Sequence, residues 1–560
     1  MPAHDPQPAP GAPRASCRDM TDRGPAADAP DTPTHPRIQE PAILLMILVL
    51  SVGGAVVGLQ LLVTLGVTPN TGLIGALVAM TLGRLRLPGF RRYRSVHVQN
   101  LAQSAVSAAC FGAANAMLLP IGIPFLLGMP SLVFPLFAGV TLAIFLDAFL
   151  LYRLFGTRVF PADGAWPAGV AAAEAIQAGD RGGAKAAVMA GGLALGVAGG
   201  LCGVPMAAFG TALIGNAWAL SMFGIGLLVR GQGIADRLGA SAAALRPAAH
   251  LDPALVPHGV MVGAGLVALI QVGSTLMRHG PDVKRGRDGR IVGALALGGG
   301  GFLGIAGLVA LLSGVAYGLT PRMLVAFVAY AAFAAFLHEL IVGLAAMHSG
   351  WFPAFAIALI TLLIGSLCGF PMPALALLAG LTSATGPAFA DMGYDLKAGF
   401  LLRGGGANPA FEQDGRRQQL YTAFAAFVIA TCVVAFSWRG YFTHDLFPPP
   451  DRVYAAAIRG SAHGSVAWTL AFWAIPGAIL QMLGGQRRQM GVLLATGLLI
   501  VNLKAGWAVL AGLAARAVWL ACRGESGRSP MEIFAGGVIA GDALFSFFSS
   551  MKANIRIHRH

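Results

Sequence analysis

From Pro41 onward the chain is a succession of apolar runs, separated by short loops that hold most of its basic residues. A run of ~20 apolar residues matches the ~30 Å hydrocarbon core of a bilayer. Backbone polar groups inside lipid must be satisfied within the chain, which leaves helices or a closed barrel. The runs are continuous and lack the ten-residue alternation of barrel strands, so helices are expected. Composition agrees: 56% of residues are hydrophobic, 11% are charged, and Gly contributes 76 residues. Small residues let membrane helices approach closely. The expected fold is an all-α polytopic transmembrane bundle of about 14–16 helices at ~20 residues per crossing.

The net charge of +14 does not indicate a nucleic-acid partner, because the basic residues lie in short loops between apolar runs. RLRLPGFRRYR (84–94) holds five Arg and no acid, and RHGPDVKRGRDGR (278–290) holds five basic residues against two Asp. Both are expected on the cytoplasmic side, with both termini. Residues 1–38 are rich in Pro, Ala and Asp and read as a disordered cytoplasmic tail. Residues 39–551 form the transmembrane domain and 552–560 a short basic tail. The location expected is a bacterial inner membrane. The six Cys (17, 110, 202, 368, 432, 522) show no CxxC spacing and read as small packing residues. No cofactor or metal is expected.

LCGVPM (201–206) recurs as LCGFPM (367–372), with LGVTPN (65–70) as a looser version. Each puts Gly and Pro where two apolar runs meet. Chance in a Gly/Pro-rich chain gives such echoes. A duplicated bundle with helices broken at corresponding places gives them too, and transporters use broken helices to line a midplane site.

Four stretches in order resemble the oligopeptide transporter family, which includes the yellow stripe-like metal-chelate transporters. They are SVHVQNLAQSAVSAACFGAANAMLLPIGIPFLLG (95–128), FPADGAWPAGVAAAEAIQAGD (160–180), DMGYDLKAGFLLRGGGANPAFEQDGRRQQL (391–420) and GGVIAGDALFSF (536–547), with Asp542 at the family's acidic position. The Asn-Pro-Gly and Lys-Ile-Pro-Pro-Arg motifs associated with the eukaryotic peptide branch are absent, which bears on substrate class and not on fold. The resemblance implies a secondary transporter of small peptides or peptide-like and metal-chelate solutes. Protons are the expected coupling ion and the bilayer the expected partner; an oligomer is compatible.

Ionisable residues deep in apolar runs are functional candidates. Glu174 sits on a small-residue stretch too short to span, either a re-entrant half-helix or a short helix in a cytoplasmic loop. His338 and Glu339 lie near the centre of the run 322–347, as a proton relay or as a pair satisfied by neighbouring helices. HExxH fails, because position 342 is Val. Asp147 has no basic residue at i±3 or i±4, which suits proton coupling, unless Arg153 reaches it. Asn100 and Gln103 begin a helix, either to bind a peptide backbone or to cap and bridge helices. Asn502 and Lys504 mark a break, where Lys504 meets a solute carboxylate or snorkels to the surface. Asp391 and Asp395 share a helix face at i, i+4, and a loop or gate role is expected for them. The alternative function is a membrane-embedded enzyme acting on a lipid-linked substrate through this DxxxD pair.

Overall fold

The computed structural model describes residues 34–65, 72–85, 90–181, 183–245, 255–278, 285–350, 354–460, 465–500 and 502–557. Most of the expected tail 1–38, the echo at 66–70 and part of the basic loop 278–290 lie outside these residues. The helices are α1 (Pro41–Leu65), α2 (Gly72–Arg84), α3 (Val96–Phe111), α4 (Leu119–Leu126), α5 (Val133–Leu154), α6 (Pro167–Arg181), α7 (Gly183–Leu201), α8 (Met206–Ile214), α9 (Ala217–Gly231), α10 (Ile234–Leu245), α11 (Val256–Arg278) and α12 (Arg285–Leu312). They continue as α13 (Val315–Gly318), α14 (Pro321–Ser349), α15 (Ala354–Leu367), α16 (Met372–Ala384), α17 (Pro387–Leu402), α18 (Pro409–Thr443), α19 (Pro449–Gly460), α20 (Ser465–Arg488), α21 (Met490–Leu499), α22 (Leu503–Arg523) and α23 (Arg528–Ile557).

Among the described residues, eight helical segments are long and apolar enough to cross a membrane, and seven shorter apolar helices of 10–17 residues accompany them. The fold is the expected all-α polytopic bundle. Two of the eight stand apart. Val96–Leu126 and Met372–Leu402 are each 31 residues long, with 94% and 89% of their apolar stretch buried, against 28–56% for the others. They form the centre.

Both central segments are interrupted midway. In the first, a π-helical turn (Gly112–Leu118) joins α3 to α4. Pro120 follows, and its missing N–H leaves the Ala116 carbonyl without its ordinary helical donor. In the second, Thr385 and Gly386 separate α16 from α17. Gly386 has φ +90°, where a side chain is strained, and Pro387 starts α17 at a position that suits it. α3 packs on α17 and α4 on α16, so the two broken helices run antiparallel.

The sequence echo is also an echo in three dimensions. Gly203 and Gly369 have φ +67° and +78°. Val204 N–H donates to the Gly199 carbonyl (2.9 Å) and Phe370 N–H to the Gly365 carbonyl (3.4 Å). α8 and α16 then start at Met206 and Met372, directly after Pro205 and Pro371. This is the same left-handed glycine turn used twice.

The N-terminal approach to α1 is docked at the Arg-rich end. His35 is buried beside His97 and Phe411, with ring centroids 5.2 and 5.4 Å away. Ile38 N–H donates to Gln418 Oε1 (3.0 Å). Burial outweighs the hydrogen bond to the Pro36 carbonyl and lowers the His35 imidazole to about 4. A lowered imidazole binds a proton more readily when undocked. Docking is therefore fully stable above about pH 6.5 and weakens as pH falls toward 4, by about 2 kcal/mol at pH 5. Hydrogen exchange of residues 35–40 is expected to quicken from pH 7 to pH 5 after correction for intrinsic rates, and His35→Phe to remove that acceleration.

Candidate functional site

The polar core lies between α3 and α17. Asn100, Gln103, Ser104 and Ser107 are buried and recur at i, i+3, i+4 and i+7, one face of a helix. Asp391 and Asp395 are buried on the facing side of α17. The Ser107 hydroxyl donates to Asp391 Oδ1. Gln103 Nε2 donates to Asp395 Oδ1 at 2.6 Å, and Asn100 Nδ2 donates to Gln103 Oε1 at 2.9 Å. Asp395 Oδ2 and the Tyr394 hydroxyl are buried without a hydrogen-bond partner.

This corrects one sequence expectation. Asp391 and Asp395 are not in a loop. They occupy the enclosed middle of α17, which continues to Leu402. Asn100 and Gln103 are likewise not caps, because α3 starts at Val96 and both side chains reach inward.

The network extends to the Arg-rich end. Gln419 Nε2 donates to the Asp395 carbonyl (2.6 Å) and to Ser104 Oγ (3.4 Å). Arg403 donates to Gln419 Oε1 (2.9 Å) and forks onto Glu412 at 2.7 and 3.2 Å. Arg416 also holds Glu412 (2.6 Å) and donates to the Phe155 carbonyl (3.2 Å). Sequence reading missed Ser104, Ser107, Arg403, Glu412 and Gln419. The polar stripe on an otherwise apolar α3 was the signal that would have found the serines.

A second pair of acids meets the joint of the central helix. Gly386 N–H, at the start of α17, donates to Asp147 Oδ2 (3.0 Å). A carboxylate at a helix N-terminus completes donors that the helix leaves open. Asp147 also acts electrostatically on Glu339, both of whose oxygens are buried without a hydrogen-bond partner. His338 makes its own contacts: Nε2 donates to the Ala354 carbonyl (2.8 Å), and Nδ1 lies 3.2 Å from Thr385 Oγ1. The imidazole thus reaches the joint at Thr385, while Glu339 is buried within the electrostatic reach of Asp147. Gly386→Ala would put a side chain at φ +90° with its Cβ 2.9 Å from Val342. A stability loss of about 1–3 kcal/mol is expected for the backbone strain alone, read as a lower midpoint in detergent unfolding.

The other candidates lie apart from this centre. Asp542 Oδ2 accepts from Ala207 N–H (3.0 Å) in the first turn of α8, as Asp147 does at α17. Lys504 is exposed and points to the Cys202 carbonyl (3.5 Å). The break expected there is present: Asn502 caps α22 by accepting from Ala505 N–H (3.0 Å). Glu174 lies on α6, a fifteen-residue helix packed on α17 and α23. It is half-buried and partnered. Small residues allow that packing: Ala172 and Ala173 meet Ala398, and Ala175 meets Ala540. Among the described residues, no group of three or more His, Cys, Asp or Glu could hold a metal ion.

The second broken helix thus has Asp147 at its joint and the Asp391–Asp395 pair within its second half, and transporters line midplane sites with broken helices. The family model described as "OPT oligopeptide transporter protein" matches residues 42–279 and 271–553. The chain belongs to the oligopeptide transporter family. No curated protein matches it. Membership makes this a multi-pass integral membrane protein of a family that transports oligopeptides across membranes, and the members of that family are transporters, not enzymes. The DxxxD pair of this oligopeptide transporter family chain, read alternatively as an enzyme's acids, is engaged by Gln103 and Ser107.

Proposed function

We propose that this chain is a proton-coupled secondary transporter of short peptides or peptide-like solutes, metal chelates included, working by alternating access. It acts in a bacterial inner membrane with both termini cytoplasmic. The observation that carries this reading is the pair Asp391 and Asp395, one helical turn apart, buried, and tied only to neutral donors. Two ionised carboxylates so placed would be very costly, because among the described residues no cation pairs with either of them. At least one proton on the pair removes most of that cost. Exposing the pair to water on one side or the other lets the proton leave or lets a solute amine replace it.

The remaining residues take supporting roles. Asn100 and Gln103 orient the acids and supply amide groups that match a peptide backbone. Asp147, Glu339 and His338 hold the joint between α16 and α17, so that charge at the joint biases its geometry. Asp542 and Lys504 act at the α7–α8 break, the counterpart of the turn between α15 and α16, and Glu174 follows α17 through α6. The supporting fact throughout is that broken helices around a midplane site allow one half to rock against the other.

The experiment is uptake into proteoliposomes with an imposed pH gradient and a peptide library. Accumulation of peptides above their external concentration, abolished when the gradient is collapsed, is the expected result. Gradient-independent turnover of a lipid-linked substrate would replace this reading with the enzyme.

A further inference from the structure

Another buried acid, Asp451, belongs to a helix outside the α3–α17 core. α3, the π-helical turn and α4 form one continuous path of 31 residues, about 46 Å at ~1.5 Å per residue. The path starts beside the Arg-rich segment, so Gly122 is near the opposite, far end. α19 lies across this end, packed on α4, α15 and α16. Its inward face is Asp451, Tyr454, Ala455 and Ile458, all buried, at i, i+3, i+4 and i+7.

Asp451 is in the first turn of α19, where a carboxylate ordinarily accepts from backbone N–H groups. Here it does not. Both oxygens are fully buried without a hydrogen-bond partner. Oδ2 presses on Gly122, where an added Cβ would come within 2.0 Å of it. α4, α15 and α16 bring no titratable side chain to this face. The nearby charged and titratable groups are committed elsewhere. Arg452 pairs with Asp445 (3.0 Å), Arg459 donates to the Leu126 carbonyl (2.6 Å), Tyr454 donates to the Phe355 carbonyl (3.0 Å) and His444 contacts the Gly440 carbonyl (2.7 Å). An acid in this setting is far cheaper neutral than charged. Burial pushes the Asp451 carboxyl well above the usual carboxylate range, against the pull of Arg452.

We propose that Asp451 is a proton-binding latch: protonated, it seats α19 on Gly122 and closes the far end of the α4–α16 pair; ionised, it releases α19. The proton exchanges with water on the far side. The glycine is part of the device, since any side chain at 122 would deny the carboxyl its seat. The closed state binds the proton more tightly than the open state. Closure is therefore strongest at low pH and weakens as pH rises from the open-state value near 3.9 through the raised closed-state value. The latch presupposes the alternating openings proposed above, but its test uses no solute.

The test is thiol labelling of Ala455→Cys in micelles, with the six native cysteines replaced. Rates are divided by those of Val453→Cys, an exposed position on the same helix, which removes the pH dependence of the thiol. The normalised rate should climb several-fold from pH 5 to pH 8 with Asp451 present. It should stay low and flat with Asp451→Asn, and stay high at both pH values with Gly122→Ala. A flat profile with Asp451 present, or an unchanged climb in Asp451→Asn, would overturn the latch. The expected labelling in a chain that accumulates no peptide would uphold the latch and remove the transport reading instead.

Discussion

Asp395→Asn abolishes accumulation of solute against its gradient while leaving solute exchange across the membrane intact. This is the largest functional effect expected. Asparagine keeps the shape of the side chain and can still accept from Gln103 Nε2, which now lies 2.6 Å from Asp395 Oδ1. What it cannot do is gain and lose a proton. A gradient of two pH units supplies about 2.7 kcal/mol per proton, enough for roughly hundred-fold accumulation at one proton per solute. The variant should equilibrate solute near a ratio of one. Counterflow of labelled against unlabelled solute should persist, because that half-cycle needs no net proton movement. Asp391→Asn should behave alike, the Ser107 hydroxyl donating to its side-chain oxygen. Retained accumulation in both single variants and in the double variant would remove the acid pair from coupling.

The largest stability effect is expected at Arg403. Its side chain is fully buried, that of Glu412 is only 6% exposed, and the fork between them spans 2.7 and 3.2 Å. Removing one partner of a buried ion pair leaves an uncompensated charge, at a typical cost of 3–5 kcal/mol. Arg416 continues to hold Glu412, so Arg403→Ala should fall toward 3 kcal/mol. Gln419 also loses its donor, and with it the anchor that fixes the Asp395 backbone. Arg403→Ala should therefore unfold at lower denaturant and also lose uptake. Replacing both partners by apolar residues, Arg403→Met with Glu412→Leu, should recover much of the stability and not the uptake. A loss below about 1 kcal/mol, the range of an exposed pair, would contradict the buried-pair account.

The apolar runs made the bundle legible, because lipid leaves few alternatives to helices. The Gly-Pro breaks at 203–205 and 369–371 were legible for a similar reason: a left-handed glycine followed by proline ends one helix and starts another. The acid pair was named from the sequence, yet its setting was not. DMGYDLK carries three charged residues in seven, and so reads locally as a loop. What buries it comes from α3, with partners 292 and 284 residues away along the chain. No local pattern states that pairing. His338 and Glu339 show the opposite difficulty. Adjacent in sequence, they suggest one unit, but neighbours on a helix diverge by about 100°, and they serve different neighbours. Asp451 escaped notice because its helix reads as a polar linker, with Arg452 and Arg459 on the outward face.

The central claim is that Asp391 and Asp395 carry the proton that moves with the solute. The most direct measurement is luminal pH, followed by an enclosed dye, as peptide is added to proteoliposomes held without an initial pH gradient. The account predicts luminal acidification that tracks peptide uptake in the native chain. It predicts none in the folded Asp391→Asn/Asp395→Asn double variant. Peptide uptake without acidification in the native chain, or unchanged acidification in the double variant, would contradict it.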